Sequence, residues 1–115
     1  MEDFYRIKKE IAETLKRKLE NNSFNVRGYE LKIRNVNSIE IDIKESNIQW
    51  PDLYQGQDID IEIRGTAFIN EKQSNGFRVN SISFFAEHCI LRYNQKSKEF
   101  SISNISEIII IEKLH

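Results

Sequence analysis

A single cysteine stands among the 115 residues, so no disulfide can form within the chain. One proline and four scattered glycines are too few for a linker-rich or disordered chain. Gly28, Gly56, Gly65 and Gly76 stand far apart, and none opens a glycine-rich turn into a helix, which excludes a phosphate cradle of that kind. No apolar run approaches about 18 residues, and the opening residues do not read as a signal peptide, so no membrane association is expected. Charge of one sign is also missing: 17 basic residues face 18 acidic ones, for a net charge of −1. That balance speaks against a strongly basic nucleic-acid binder and against an acidic tail protein. These absences predict a soluble, cytoplasmic protein with one domain over residues 1–115.

What is present is periodicity. In residues 2–21, Phe4, Ile7, Ile11, Leu15 and Leu19 recur at three- and four-residue steps, which predicts an amphipathic helix. Asn21 and Asn22 supply a stop, because asparagine tolerates a left-handed backbone. Basic residues such as Lys16, Arg17 and Lys18 read as a solvated helix face. Over residues 24–114 the period is two. Leu31 and Ile33 alternate with charged residues, and so do Ile39, Ile41 and Ile43. These runs predict a hairpin with a three-residue loop, Val36-Asn37-Ser38. Arg34 would then oppose Glu40, Lys32 would oppose Asp42, and Glu30 would oppose Lys44. A third strand is predicted over 57–69, with Ile59, Ile61, Ile63, Ala67 and Ile69 on one face and Gly65 marking a bulge or bend. A polar, mobile loop over 70–76 leads to a fourth strand over 78–93. A fifth strand holds Phe100 and Ile102, and a sixth runs over 108–111. Trp50 to Tyr54 suits a single helical turn. The fold class expected is α+β: an N-terminal amphipathic helix on a curved antiparallel sheet, or partly closed barrel, of five to six strands.

Residues 83–90, Ser-Phe-Phe-Ala-Glu-His-Cys-Ile, bring the one cysteine, a histidine and a carboxylate together in sequence. On a regular strand, Ile82, Phe84, Ala86, His88 and Ile90 share one face, and Ser83, Phe85, Glu87, Cys89 and Leu91 the other. His88 and Cys89 then diverge and cannot act as a base–nucleophile pair. With His115 at the last position, too few ligands remain for zinc. His88 is expected as a core-edge imidazole and Cys89 as a small packed side chain. No catalytic, cofactor or metal residue is assigned, and the chain is expected not to be an enzyme.

Binding is the remaining expectation. Phe68, Val79, Phe85 and Leu91 fall on the outward parity of the third and fourth strands, which marks a protein interface or a second core. Asp58, Asp60 and Glu62 make an acidic strand face that suits a basic partner. Trp50 and Tyr54 offer aromatic anchors to a partner, or else plug one end of the core. The leading reading is a non-catalytic protein-binding module: an inhibitor, immunity, adaptor or structural subunit. Its partner would be another protein, or itself through the isoleucine-rich sheet edge as a homodimer. The alternative is an OB-like barrel that binds single-stranded nucleic acid, with Phe77 as a stacking residue. A third reading places a small-ligand pocket between helix and sheet, as in cystatin-like or NTF2-like architectures.

Overall fold

The computed structural model describes residues 2–105 and 107–114, with Leu114 by its backbone alone. Helix α1, Glu2–Leu19, lies on the inner face of a six-stranded antiparallel sheet. Its acidic first turn (Glu2, Asp3) and basic last turn (Lys16, Arg17, Lys18) both suit the helix dipole. Ile7, Ile11, Leu15 and Leu19 are fully buried, so the predicted stripe is the core-facing stripe. The chain leaves the helix through Asn21, whose φ is 59°, and the Asn22 side-chain amide donates back to the Lys18 carbonyl at 2.8 Å.

Strands β1 (Asn22–Val26) and β2 (Tyr29–Asp42) form a hairpin around Arg27-Gly28. Both turn residues have positive φ, 53° and 83°, the signature of a type I′ turn. A short 3₁₀ turn and helix α2 (Trp50–Tyr54) lead into β3 (Ile59–Gln73), which returns through a tight turn as β4 (Gly76–Asn94). These two long strands set the molecule's extent of 51 × 23 × 20 Å. Sheet order is β1-β2-β3-β4. The other edge of β4 is shared by β5 (Glu99–Ser103), paired with 90–94, and β6 (Ile109–Leu114), paired with 81–85. The sheet curls until β1 runs alongside β6, and it does not close into a hydrogen-bonded barrel.

Three expectations are corrected here. The predicted hairpin over 31–43 does not exist: β2 is one continuous strand. Its first half pairs with β1 and its second half with β3. The residues taken for a loop carry two bulges, so the inward series runs Leu31, Ile33, Val36, Ile39 and Ile41, shifting parity twice. Asn35, Asn37 and Asn70 stitch this irregular stretch through a ring of side-chain amide hydrogen bonds of 2.8, 3.3 and 3.1 Å. Glu20 accepts the Val36 N–H at 2.9 Å. The three expected charge pairs are consequently absent, and Lys32 instead meets Glu30 at 3.5 Å. Second, residues 70–76 are not a mobile loop, because pairing continues to Gln73 opposite Gly76.

Third, Gly65 is not a break. It holds a place in the unbroken inward series of β3, opposite Phe84. A Cβ there would meet the Glu40 carbonyl oxygen at 2.4 Å and the Phe84 ring at 2.8 Å. The buried Phe84 ring therefore fills the space that a side chain at position 65 would need. Gly65→Ala is expected to lower stability by about 1–3 kcal/mol through overpacking, measured as a reduced denaturation midpoint with an unchanged denaturant slope. An unchanged midpoint would show that Phe84 does not depend on the missing side chain.

Candidate binding face and the groups around it

The stretch 83–90 resolves through one irregularity. Pairing passes from Ile61–Cys89 to Ile63–Ala86, so Glu87 and His88 bulge out of β4. His88 has a φ of 56°, and Asn104 donates to its carbonyl at 3.1 Å. Side-chain parity flips at this point. Ile82, Phe84 and Ala86 point inward, and so do Cys89 and Leu91. His88 is therefore not a core-edge imidazole. Its side chain is exposed, with Nδ1 3.3 Å from Asp60 Oδ2. Cys89 is fully buried, as expected of a packed thiol, and burial with the charge of Asp60 pushes its pKa up to about 11. Among the described residues, no three His, Cys, Asp or Glu side chains gather to hold a metal ion, and His115 lies outside those residues.

The same flip removes Leu91 from the outward set, since it is fully buried. Phe68 and Val79 remain on the outer face and are strongly exposed, and Phe85 is half-buried there. Phe68 pairs with Ser81 and Val79 with Asn70, which makes Phe68 and Val79 diagonal neighbours. Phe77 and the β6 residues Ile109 and Ile111, which the outward parity of β3 and β4 had not included, add exposed apolar surface; Phe85 pairs with Ile109. The isoleucine run of β6 is thus split, with Ile110 inward and its neighbours outward. Four consecutive isoleucines carry no alternation, so period-two reasoning could not single out Ile109. The partnership with Phe85 needed the strand order.

Asp58, Asp60 and Glu62 do line one strand face, but each has a close cationic or imidazole neighbour. Arg92 grips Asp58 bidentately at 2.7 and 2.9 Å and lowers its pKa. His88 stands beside Asp60, and Arg64 meets Glu62 at 2.8 Å. Trp50 and Tyr54 sit away from this face, in an aromatic cluster with Tyr93 and Phe100. Ring centroids there are 4.9 Å apart for Tyr93–Phe100 and 5.2 Å for Tyr54–Tyr93. The polar ends of both are used internally: Trp50 donates to the Glu45 carbonyl at 3.2 Å, and Tyr54 donates to Asp3. Burial, then that hydrogen bond, raises the Tyr54 pKa to about 12. Arg6 closes the cluster, its guanidinium 5.2 Å from the Phe100 centroid and donating to the Lys98 carbonyl at 2.6 Å. Between α1 and the sheet, the site of the third reading, Ile7, Ile11, Leu15 and Leu19 pack against the sheet core. Open depressions lie at the margins, one of about 440 Å³ beside Lys8, Ile43 and Phe84 and one of about 500 Å³ beside Arg6, Glu13 and Phe100.

Two polar side chains, Glu71 and Asn80, are buried near where β1 and β6 approach. Glu71 is 1% exposed and accepts hydrogen bonds from Tyr29 and Asn80, while Lys113 Nζ lies 2.9 Å from its Oε1. Burial opposes ionisation, but the hydrogen bonds from Tyr29 and Lys113 outweigh it and hold the Glu71 pKa below the usual carboxylate range. The Lys113 pKa is raised, because its hydrogen bond to Glu71 and that charge outweigh the opposing effect of burial.

Comparison with known protein families, curated proteins and solved structures finds no match, so the reading of this chain rests on its own residues. Glu71 has a depressed pKa, so its contribution to stability is present above the unfolded carboxylate range and is lost as pH falls through and below it. Lys113→Met strands the buried carboxylate and is expected to cost about 3 kcal/mol, more than Glu71→Gln, which leaves a half-buried lysine near solvent. Urea melts at pH 7 and pH 4 check both expectations. A double variant whose cost equals the sum of the two single costs would show that the pair is not coupled.

Proposed function

We propose that this chain is a non-catalytic protein-binding module whose contact surface is the outer face of the sheet. The observation that carries the reading is asymmetry of cover. Helix α1 covers the inner face, whereas Phe68, Phe77, Val79, Ile109 and Ile111 stand exposed on the other face, with Phe85 among them. Contiguous exposed apolar surface of this kind marks interaction sites. Ser81, Ser83 and Thr66 lie between the large side chains, and Thr66, Ser83 and Ile111 border a depression of about 440 Å³ that a partner's side chain can enter. Cations rim the apolar residues at one end: Arg34 lies over Phe77, 5.8 Å from the ring centroid, and Lys72 pairs with Phe77 across the strands. A cytoplasmic setting goes with this reading, supported by a lone buried cysteine.

A photo-crosslinking phenylalanine analogue in place of Phe68, compared with one in place of the exposed helix residue Tyr5, tests the proposal in the native host. Protein adducts are expected from position 68 in clear excess over position 5. Equal yields would overturn the assignment of the face, and adducts to nucleic acid alone would favour a single-strand binder instead.

A further inference from the structure

The outer face has a charge polarity that runs along its strands. Toward the β3–β4 turn it presents Lys32, Arg34 and Lys72, against the carboxylate of Glu30, with Glu112 of β6 opposite Ser83. Lys32, Arg34 and Lys72 border one shallow depression of about 210 Å³ that Asn21, Asn22 and Ser23 complete. Phe68, Phe77 and Val79 lie in the same half. Toward the opposite end the face presents Glu40, Asp42, Asp60 and Glu62, against Arg64, with His88 beside Asp60. Thr66, paired with Glu40 on one side and Ser83 on the other, marks the boundary.

We propose that the partner of this face is a second copy of the chain, stacked face to face about a two-fold axis that crosses the strands near Thr66 and Ser83. The inference rests on the protein-binding reading and names its partner. An isologous contact must be self-complementary, since each residue meets the image of another residue on the same patch. A two-fold across the strands reverses strand direction, so the cationic half of each copy covers the acidic half of the other. Lys72 then approaches the partner's image of Asp60, and Phe68 that of Arg64, a cation–aromatic contact. A two-fold along the strands would instead set cations over cations, so the polarity selects between the operators.

The area suffices. Four strands about 4.8 Å apart and roughly nine residues long at about 3.3 Å each give a footprint near 600 Å² before side-chain relief, close to the roughly 800 Å² per partner of a stable interface. Two sheets meeting in this way pack with their strands about 30° apart and bury the outer-face side chains between them. The contact uses the face and not the β6 edge, beside which β1 already runs.

Sedimentation equilibrium of the full chain tests this. The wild type is expected to be a dimer that weakens as salt rises. Phe68→Lys, which sets an ammonium against the partner's Arg64, should weaken self-association at least tenfold, with an unchanged circular dichroism spectrum. The decisive arm uses two charge-reversed variants: one carries Lys32→Glu, Arg34→Glu and Lys72→Glu, the other Glu40→Lys, Asp42→Lys and Glu62→Lys. Each should be monomeric alone, and an equimolar mixture should form a heterodimer. A monomeric wild type, or a mixture that stays as two monomers, overturns the dimer. Adducts from position 68 to a different protein would then leave the protein-binding reading standing, whereas the absence of any protein adduct removes both.

Discussion

Backbone pairing between β3 and β4 is the constraint on which the rest depends. It runs from Ile59–Leu91 to Gln73–Gly76 with one interruption. Every other strand is placed by what these two leave free: β2 takes the outer edge of β3, and β5 and β6 share the outer edge of β4. Antiparallel strands alternate strictly between faces, so this ribbon alone decides which isoleucines form the core and which phenylalanines do not. Helix α1 then has one place to lay its stripe.

Where alternation is unbroken, the sequence was legible. The inward set of β3, Ile59 through Ile69, is read correctly from period two, and so are the outward placements of Phe68 and Val79. The helix, its apolar stripe and its asparagine stop are likewise local properties of residues 2–21, and local properties survive into the fold. The α+β class followed from these alone.

Alternation fails where a bulge inserts a residue, because a bulge and a turn leave the same mark on a hydrophobic pattern. Between Ile33 and Ile39 the parity slips twice and returns to where it began. Three plausible charge pairs then made an imaginary hairpin look well registered. At His88 a single slip reversed the assignment of every residue beyond it, which is why Leu91 was expected outside and Cys89 kept its expected burial on a different face from the one drawn. His88 takes the left-handed conformation without being a glycine, and the bulges of β2 have no left-handed residue to mark them, so neither irregularity was visible. The charge polarity of the outer face was hidden for another reason. Lys32, Lys72, Glu40 and Glu62 lie on strands that only the sheet order brings together, and opposite signs cancel in any sum over the chain.

Glu71 has a consequence for how the protein is made. The carboxylate sits on β3, while the ammonium that compensates it arrives on β6, so a ribosome releases the acid well before the base. Until β6 is synthesised, folding the β3–β4 ribbon around Glu71 would enclose a charge without its counterion. Enclosing Glu71 before Lys113 arrives therefore carries the desolvation cost of a buried carboxylate that lacks its cation.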